Sequence, residues 1–283
     1  MSSGQVHMDP SARADDPTAD KTRADGALEI APDLAYRRLA IVNVVFFGAP
    51  GAQDRNWVLV DAGLFGAKSY IKDAAAERFG PASRPGAIVL THGHFDHVGS
   101  LEDLAQEWDV PIFAHPLEHN YLNGNEAYPP PDPTVGGGLM TLSSVLFPRG
   151  PINVSKHLKA LPADGRVPFM PGWRWLHTPG HSRGHVSLWR DVDRTLVVGD
   201  AFVTTRQESV YAALTQDPEM HGPPMYYTPD WDSARESVRH LATLQPNLVV
   251  TGHGRAMQGP QMRSALNQLA LDFDSVAVPK QGG

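Results

Sequence analysis

Four short segments of this chain carry residues that could bind metal. The densest is Thr91-His92-Gly93-His94-Phe95-Asp96-His97, where four of seven residues are potential ligands. Three others follow in order: His177-Thr178-Pro179-Gly180-His181-Ser182-Arg183-Gly184-His185, then Val198-Gly199-Asp200, then Thr251-Gly252-His253-Gly254. A lone histidine is usually an ordinary surface or core residue. By that measure His7, His115, His119, His157, His221 and His240 carry no signal. Histidines and aspartates crowded on one buried loop are different, because without a cation they would repel or go unsatisfied. The chain has no cysteine. That excludes disulfides, thiolate ligands and a cysteine nucleophile, so any metal must be held by imidazole and carboxylate. Such ligands suit zinc first, and also iron or manganese.

The elements around these segments explain how the ligands would be positioned. Ala87–Leu90 is a short apolar run that reads as a strand and leads straight into Thr91. Val98–Trp108 reads as a helix with Leu101, Leu104, Ala105 and Trp108 on one face. The ligands therefore sit on a loop at a strand end, where sites are normally built. Further strands are expected at Ile41–Phe47, Trp57–Val60, Val110–Phe113, Trp173–His177, Val186–Trp189, Thr195–Val198 and Leu248–Val250. Helices are expected at 67–79, after Thr228 and Pro229 as N-cap and first position, and over Met262–Phe273.

Residues 1–26 are rich in Asp, Ala, Ser and Pro and read as a flexible tail ahead of one domain over 27–283. Residues 120–170 break the strand rhythm, with Pro129–Pro131, Gly136–Gly138 and an apolar stretch from Leu139 to Phe147. A connection this long is usually functional or disordered; over 120–150 it reads as a cover for the site, with a subunit contact or core filling as the competing readings. Gly136–Gly138 is not a phosphate loop, since no P-loop lysine and serine follow it. Asp54 and Arg55 read as turn residues.

The His-x-His-x-Asp-His run, followed in order by Thr-Pro-Gly-His, Gly-Asp and Gly-His, resembles the metallo-β-lactamase superfamily over roughly residues 35–260. The resemblance implies a four-layer αββα sandwich of the α/β class. It implies that His92, His94 and His181 bind one metal, that Asp96, His97 and His253 bind the other, and that Asp200 bridges them. Asp61 matches the family's first motif and would support a ligand by hydrogen bond. His177, His185, Tyr226 and Tyr227 are further candidates for contact with the ligands or the substrate; ordinary packing is the competing reading. Two divalent ions per chain, zinc before iron or manganese, would make the chain a hydrolase. A hydroxide bridging them would attack an ester, thioester, lactone or related carbonyl, with Asp96 and Asp200 as the catalytic carboxylates.

Several absences narrow the choice. A net charge of −7 argues against a nucleic-acid partner. No signal-peptide run or membrane-length apolar stretch is evident, so a cytoplasmic protein acting on a small molecule, with no membrane partner, is expected, and a homo-oligomer is compatible with the sequence. Asp200 at the bridging position argues against an exported β-lactamase. About 30 residues follow His253, too few for the helical domain of glyoxalase II enzymes. Quorum-quenching lactonases share the pattern and length. An iron oxidoreductase resembling the sulfur dioxygenases, and a β-lactamase or phosphodiesterase, are the alternatives.

Overall fold

The β-branched and aromatic runs become strands. In chain order these are β1 (Val6–His7), β2 (Leu28–Ala31), β3 (Leu34–Leu39), β4 (Val42–Phe47), β5 (Val58–Val60), β6 (Ala87–Val89) and β7 (Ile112–Ala114). They continue with β8 (Leu158–Ala160), β9 (Trp173–His177), β10 (Val186–Arg190), β11 (Thr195–Gly199), β12 (Glu219–Met220), β13 (Leu248–Thr251) and β14 (Met257–Gln258). The helices are α1 (Lys68–Phe79), α2 (Phe95–Val98), α3 (Leu101–Trp108), α4 (His119–Leu122), α5 (Trp231–Thr243), α6 (Gly259–Leu271) and α7 (Phe273–Val276). The computed structural model describes residues 6–15, 26–131, 148–205 and 218–279. They form two compact units. One takes the described residues of 15–128 and 149–175, the other those of 1–14, 129–148 and 176–283. The stretch expected as one domain thus contains two units, each closed around its own core.

The first unit holds a seven-stranded sheet in the order β2-β3-β4-β5-β6-β7-β8. Strands β2 to β5 run antiparallel to their neighbours, and β5 to β8 are parallel. Its core gathers Val44, Phe46, Leu59, Ile71, Ile88 and Leu104. Trp57 stacks on Phe79 at 4.5 Å and meets Trp108 edge-on at 5.7 Å. Its indole N–H donates to Ser83 Oγ at 2.8 Å, so the buried polar edge is satisfied. The pairing of Val60 with Val89 brings β5 and β6 to their carboxyl ends side by side. The residues that follow, Asp61 and Thr91, leave the sheet together. In open α/β sheets this edge is where ligands bind.

The second unit holds strands β14-β13-β11-β10 in that sheet order, Leu176 and His177 at the end of β9, and the short ribbon β1-β12. Here β11 and β13 are the parallel pair, with Gly199 opposite Thr251 and a register shift between Val197 and Gly199. Leu196, Val198, Val238, Leu241, Val249 and Leu266 form its core. Among the described residues no helix is long and apolar enough to cross a membrane.

Several expectations need correction. Residues 6–15 are not a loose tail. Val6 pairs with Met220, Met8 N–H donates to Pro218 O at 3.0 Å, and Met8 and Ala12 are buried in the core. The apolar Met8 and Ala12 find a groove that a compositional reading averages away; residues 1–5 and 16–25 lie outside the described residues. The α5 helix begins two residues later than expected. Asp230, not Thr228, is the N-cap, accepting the Ser233 N–H at 3.0 Å. The break over 120–170 contains a strand, β8, which extends the sheet parallel to β7. The central part of the expected cover, residues 132–147, lies outside the described residues.

Deleting residues 1–15 is therefore expected to lower the melting temperature by roughly 4–8 °C. Burying a methionine side chain contributes about 2 kcal/mol, and each 1 kcal/mol shifts a chain of this size by about 2–4 °C. Unchanged thermal unfolding of the truncated protein would show that β1 contributes nothing.

Candidate metal centre

In the first unit the ligand-bearing residues are organised by one carboxylate. The chain turns out of β5 at Asp61 with φ +61°, a left-handed conformation that aspartate tolerates better than most residues. Asp61 Oδ1 accepts the Thr91 N–H and its Oδ2 accepts the Thr91 hydroxyl, both at 2.8 Å. Oδ2 also meets His97 Nδ1 at 2.9 Å. An ionised carboxylate only accepts, so His97 carries its proton on Nδ1. The Thr91 hydroxyl donates its hydrogen bond to Asp61 and therefore accepts from His92 Nδ1 at 3.1 Å. Both imidazoles are thus held in the Nδ1–H tautomer, which makes Nε2 the candidate ligand atom.

His92 lies between its neighbours, with ring centroids 4.7 Å from His94 and 4.2 Å from His97. Within this unit the ligand atoms of His92 and His94 lie within 4.8 Å of one another, as do those of Asp96 and His97. His94 ends the extended stretch and caps α2, whose single turn carries Asp96 and His97. These two ligands therefore sit on a helical turn rather than on the loop expected. All four residues are buried.

The second unit repeats the device. Asp200 follows β11 and His253 follows β13, at the carboxyl ends of adjacent parallel strands. The register shift before Gly199 re-aims the chain as it leaves the sheet. Asp200 Oδ2 lies 3.1 Å from His253 Nε2 and 3.4 Å from His181 Nε2. His181 Nδ1 meets Thr228 Oγ1 at 3.1 Å, and that hydroxyl donates to Pro224 O at 2.8 Å. Thr228 must then accept from His181, which again makes Nε2 the candidate ligand nitrogen. His185 accepts the Asp200 N–H on Nε2 at 2.8 Å. Its proton is therefore on Nδ1, which meets Thr178 Oγ1 at 2.8 Å. The chain of hydroxyls runs on through Ser187 to Val198 O. With both nitrogens engaged in this way, His185 positions Asp200 rather than joining the ligands.

The backbone around these ligands is tightly constrained. A Cβ on Gly180, at φ +133°, would lie 2.4 Å from Ala234 N, so only glycine lets α5 approach the loop before His181. The Thr251 hydroxyl and the Thr204 N–H both bond His253 O, at 2.6 and 3.1 Å. Buried imidazole nitrogens and acceptor-only carboxylates are the donor chemistry of divalent transition metals. The residues present fit such ions.

The family model of the metallo-beta-lactamase superfamily matches residues 37–253. The chain belongs to this superfamily. It is 44% identical over 254 residues to the probable metallo-hydrolase YflN of Bacillus subtilis (strain 168), covering 90% of this chain and 96% of that one. The probable metallo-hydrolase YybB of the same organism is 31% identical over 65% of this chain and 75% of its own length. Among solved structures, a beta-lactamase domain protein from Burkholderia ambifaria aligns with a TM-score of 0.64 at 20% identity, over 92% of this chain and 80% of that one. TTHA1623, solved in a di-iron-bound form, aligns with a TM-score of 0.54 at 23% identity, over 83% of this chain and 95% of that one. The α/β metallo-β-lactamase fold expected from the motifs is the fold of this chain.

The superfamily motifs leave other candidates to be placed by geometry. Tyr226 and Tyr227 lie in the one-turn 3-10 helix Met225–Tyr227 that precedes Thr228, with rings 5.2 Å apart. His177 Nε2 meets Arg183 O at 2.9 Å and closes the loop that carries His181. Asp54 does belong to a turn, where hydrogen bonds from Arg84 bring its carboxyl down to about 2. The residues missed in the sequence are mostly hydroxyls: Thr91, Thr178, Ser187, Thr204, Thr228 and Thr251. Their two available signals were adjacency to a candidate ligand, as with Thr91, and membership of the same motif, as with Thr178 and Thr251.

Proposed function

We propose that the two sets of ligands complete one centre for two divalent metal ions, and that the chain is a hydrolase of ester, thioester, lactone or related carbonyl substrates. His92, His94 and His181 would hold one ion, Asp96, His97 and His253 the other, and Asp200 both. The observation that carries this reading is Asp200 Oδ2, which two imidazole Nε2 atoms approach at 3.1 and 3.4 Å. A carboxylate in that position is suited to bridging. The names of the relatives, probable metallo-hydrolases, support the reaction class. Zinc is the first choice for a histidine-rich set.

Two bound ions would supply Lewis-acid polarisation of the substrate oxygen and a water acidified to act near neutral pH. The protein's own part is positional and protic. His185 fixes the Asp200 backbone, Asp61 fixes His97 and, through Thr91, His92. Asp96, in the single turn of α2, or a water in the site would carry the proton during turnover. Burial of the whole ligand set keeps bulk water away and strengthens each electrostatic contact.

Purified protein is expected to carry about two metal ions per chain, as such paired sites do. A chelator should abolish turnover across a panel of esters, thioesters, lactones, lactams and phosphodiesters, and zinc should restore it. Elemental analysis of folded, metal-free protein that still hydrolyses a substrate would overturn the proposal. Iron is the second reading, favoured by the di-iron form of one fold neighbour. Iron in the elemental analysis, with a visible absorption band, would move the assignment towards an oxidoreductase.

A further inference from the structure

We infer that Glu118 and Tyr128, which lie outside the ligand set, are positioning residues that determine how tightly the His92–His94 turn holds its metal ion; this rests on the metal-centre reading above. Gly93 is the residue between those two ligands. Its N–H is aimed at both Glu118 Oε2 and Tyr128 Oη, each at 3.0 Å. The Tyr128 hydroxyl in turn donates to the same Glu118 oxygen. Three polar atoms from three separate segments therefore close on one another.

Glu118 is fully buried. A carboxylate in the interior is costly unless its oxygens are bonded. This one comes from the single 3-10 turn after β7 and spends its Oε2 on the backbone of the metal-binding loop and on the phenol beside it. The Tyr128 ring also lies 4.4 Å from the His94 ring, and it stacks on Tyr121 at 3.8 Å. There is little slack in the arrangement. A Cβ on Gly93 would lie 3.0 Å from Tyr128 Oη and 3.3 Å from Leu122 Cδ2.

The physical consequence concerns the His92–Gly93 peptide, to which this N–H belongs. If that plane rotates, ψ of His92 and φ of Gly93 change together, and His92 and His94, on either side of Gly93, are displaced relative to each other. The Glu118–Tyr128 pair fixes that plane from the inside of the protein. The Tyr128 ring restricts the orientation of the His94 imidazole. Neither residue needs to touch substrate for this to matter, since outer partners of ligands commonly account for 10–100-fold in metal affinity.

The test is zinc titration, by competition with a chromophoric chelator, of the wild type, Glu118→Gln, Tyr128→Phe and the exposed control Glu107→Gln. Tyr128→Phe keeps the ring and removes only the hydroxyl, so it remains informative if Glu118→Gln folds poorly. Both inner variants should lose affinity for one of the two ions by about 10-fold or more. The cobalt-substituted forms should show a shifted visible spectrum, and Glu107→Gln should match the wild type. A purely structural role would lower the melting temperature of the metal-free protein and leave affinity and cobalt spectrum alone. Wild-type affinities and spectra in a folded Tyr128→Phe variant would overturn the inference. A wild type that binds no zinc or cobalt would instead overturn the metal-centre reading on which it rests.

Discussion

Replacing Asp200 by serine is expected to reduce the bound metal from about two ions per chain to one and to lower kcat/KM by roughly 10³-fold. The argument is local. Asp200 Oδ2 is the atom that both His181 Nε2 and His253 Nε2 approach. Two cations brought to those nitrogens need a negative group between them, and a serine hydroxyl is neutral and shorter. Asp200→Asn separates charge from size: it retains the side-chain volume and should fail nearly as badly. The metal-free Asp200→Ser protein should fold at least as well as the wild type, because a buried carboxylate has been removed. Elemental analysis and steady-state kinetics on the same preparations check this. Two ions per chain with wild-type rates in the serine variant would remove Asp200 from the bridging role.

The second large effect is expected at Asp61. Three hydrogen bonds converge on its carboxylate, from the Thr91 N–H, the Thr91 hydroxyl and His97 Nδ1. Asp61→Ala leaves those donors buried without their acceptor, which costs about 3–5 kcal/mol by analogy with breaking a buried pair. Alanine also disfavours the left-handed φ of +61°. Asp61→Asn tolerates that backbone and keeps one acceptor oxygen, but turns an NH₂ group towards a donor. Its zinc affinity should fall by about 10–100-fold with a smaller loss of stability than the alanine variant. Thermal unfolding of metal-free protein and zinc titration measure the two effects separately. An asparagine variant with wild-type affinity for both ions would show that Asp61 does not orient His97.

The contrast between what could and could not be read from the sequence has physical causes. Strands such as Val42–Phe47 announce themselves because β-branched and aromatic residues dominate them, and Trp173–His177 does so through its two alternating tryptophans. The helical spacing of Leu101, Leu104, Ala105 and Trp108 is that of the buried face of α3. In contrast, β3 carries Arg37 and Arg38 and β8 carries Lys159, so their strand character is set by pairing with neighbours and not by composition. The ligands stood out because imidazole and carboxylate at strand ends are chemically conspicuous. The groups that aim them did not. A threonine before a helix reads as a cap, which is how Thr228 reads, yet its hydroxyl lies between His181 and Pro224 O while Asp230 takes the capping role. Glu118 and Tyr128 were invisible for a similar reason: their role exists only once β7 and the turn after it bring them to Gly93.

Each set of ligands is tied down by bonds inside its own unit: Asp61 with Thr91 and His97 in one, His185 with Asp200 and Thr228 with His181 in the other. The two kinds of bond differ in charge. A carboxylate behind an imidazole raises the donor strength of the nitrogen on its far side, and Asp61 stands in that place behind His97. Behind His181 stands the neutral hydroxyl of Thr228. The His97 ring is therefore the stronger electron donor of the pair, a difference set before any ion arrives.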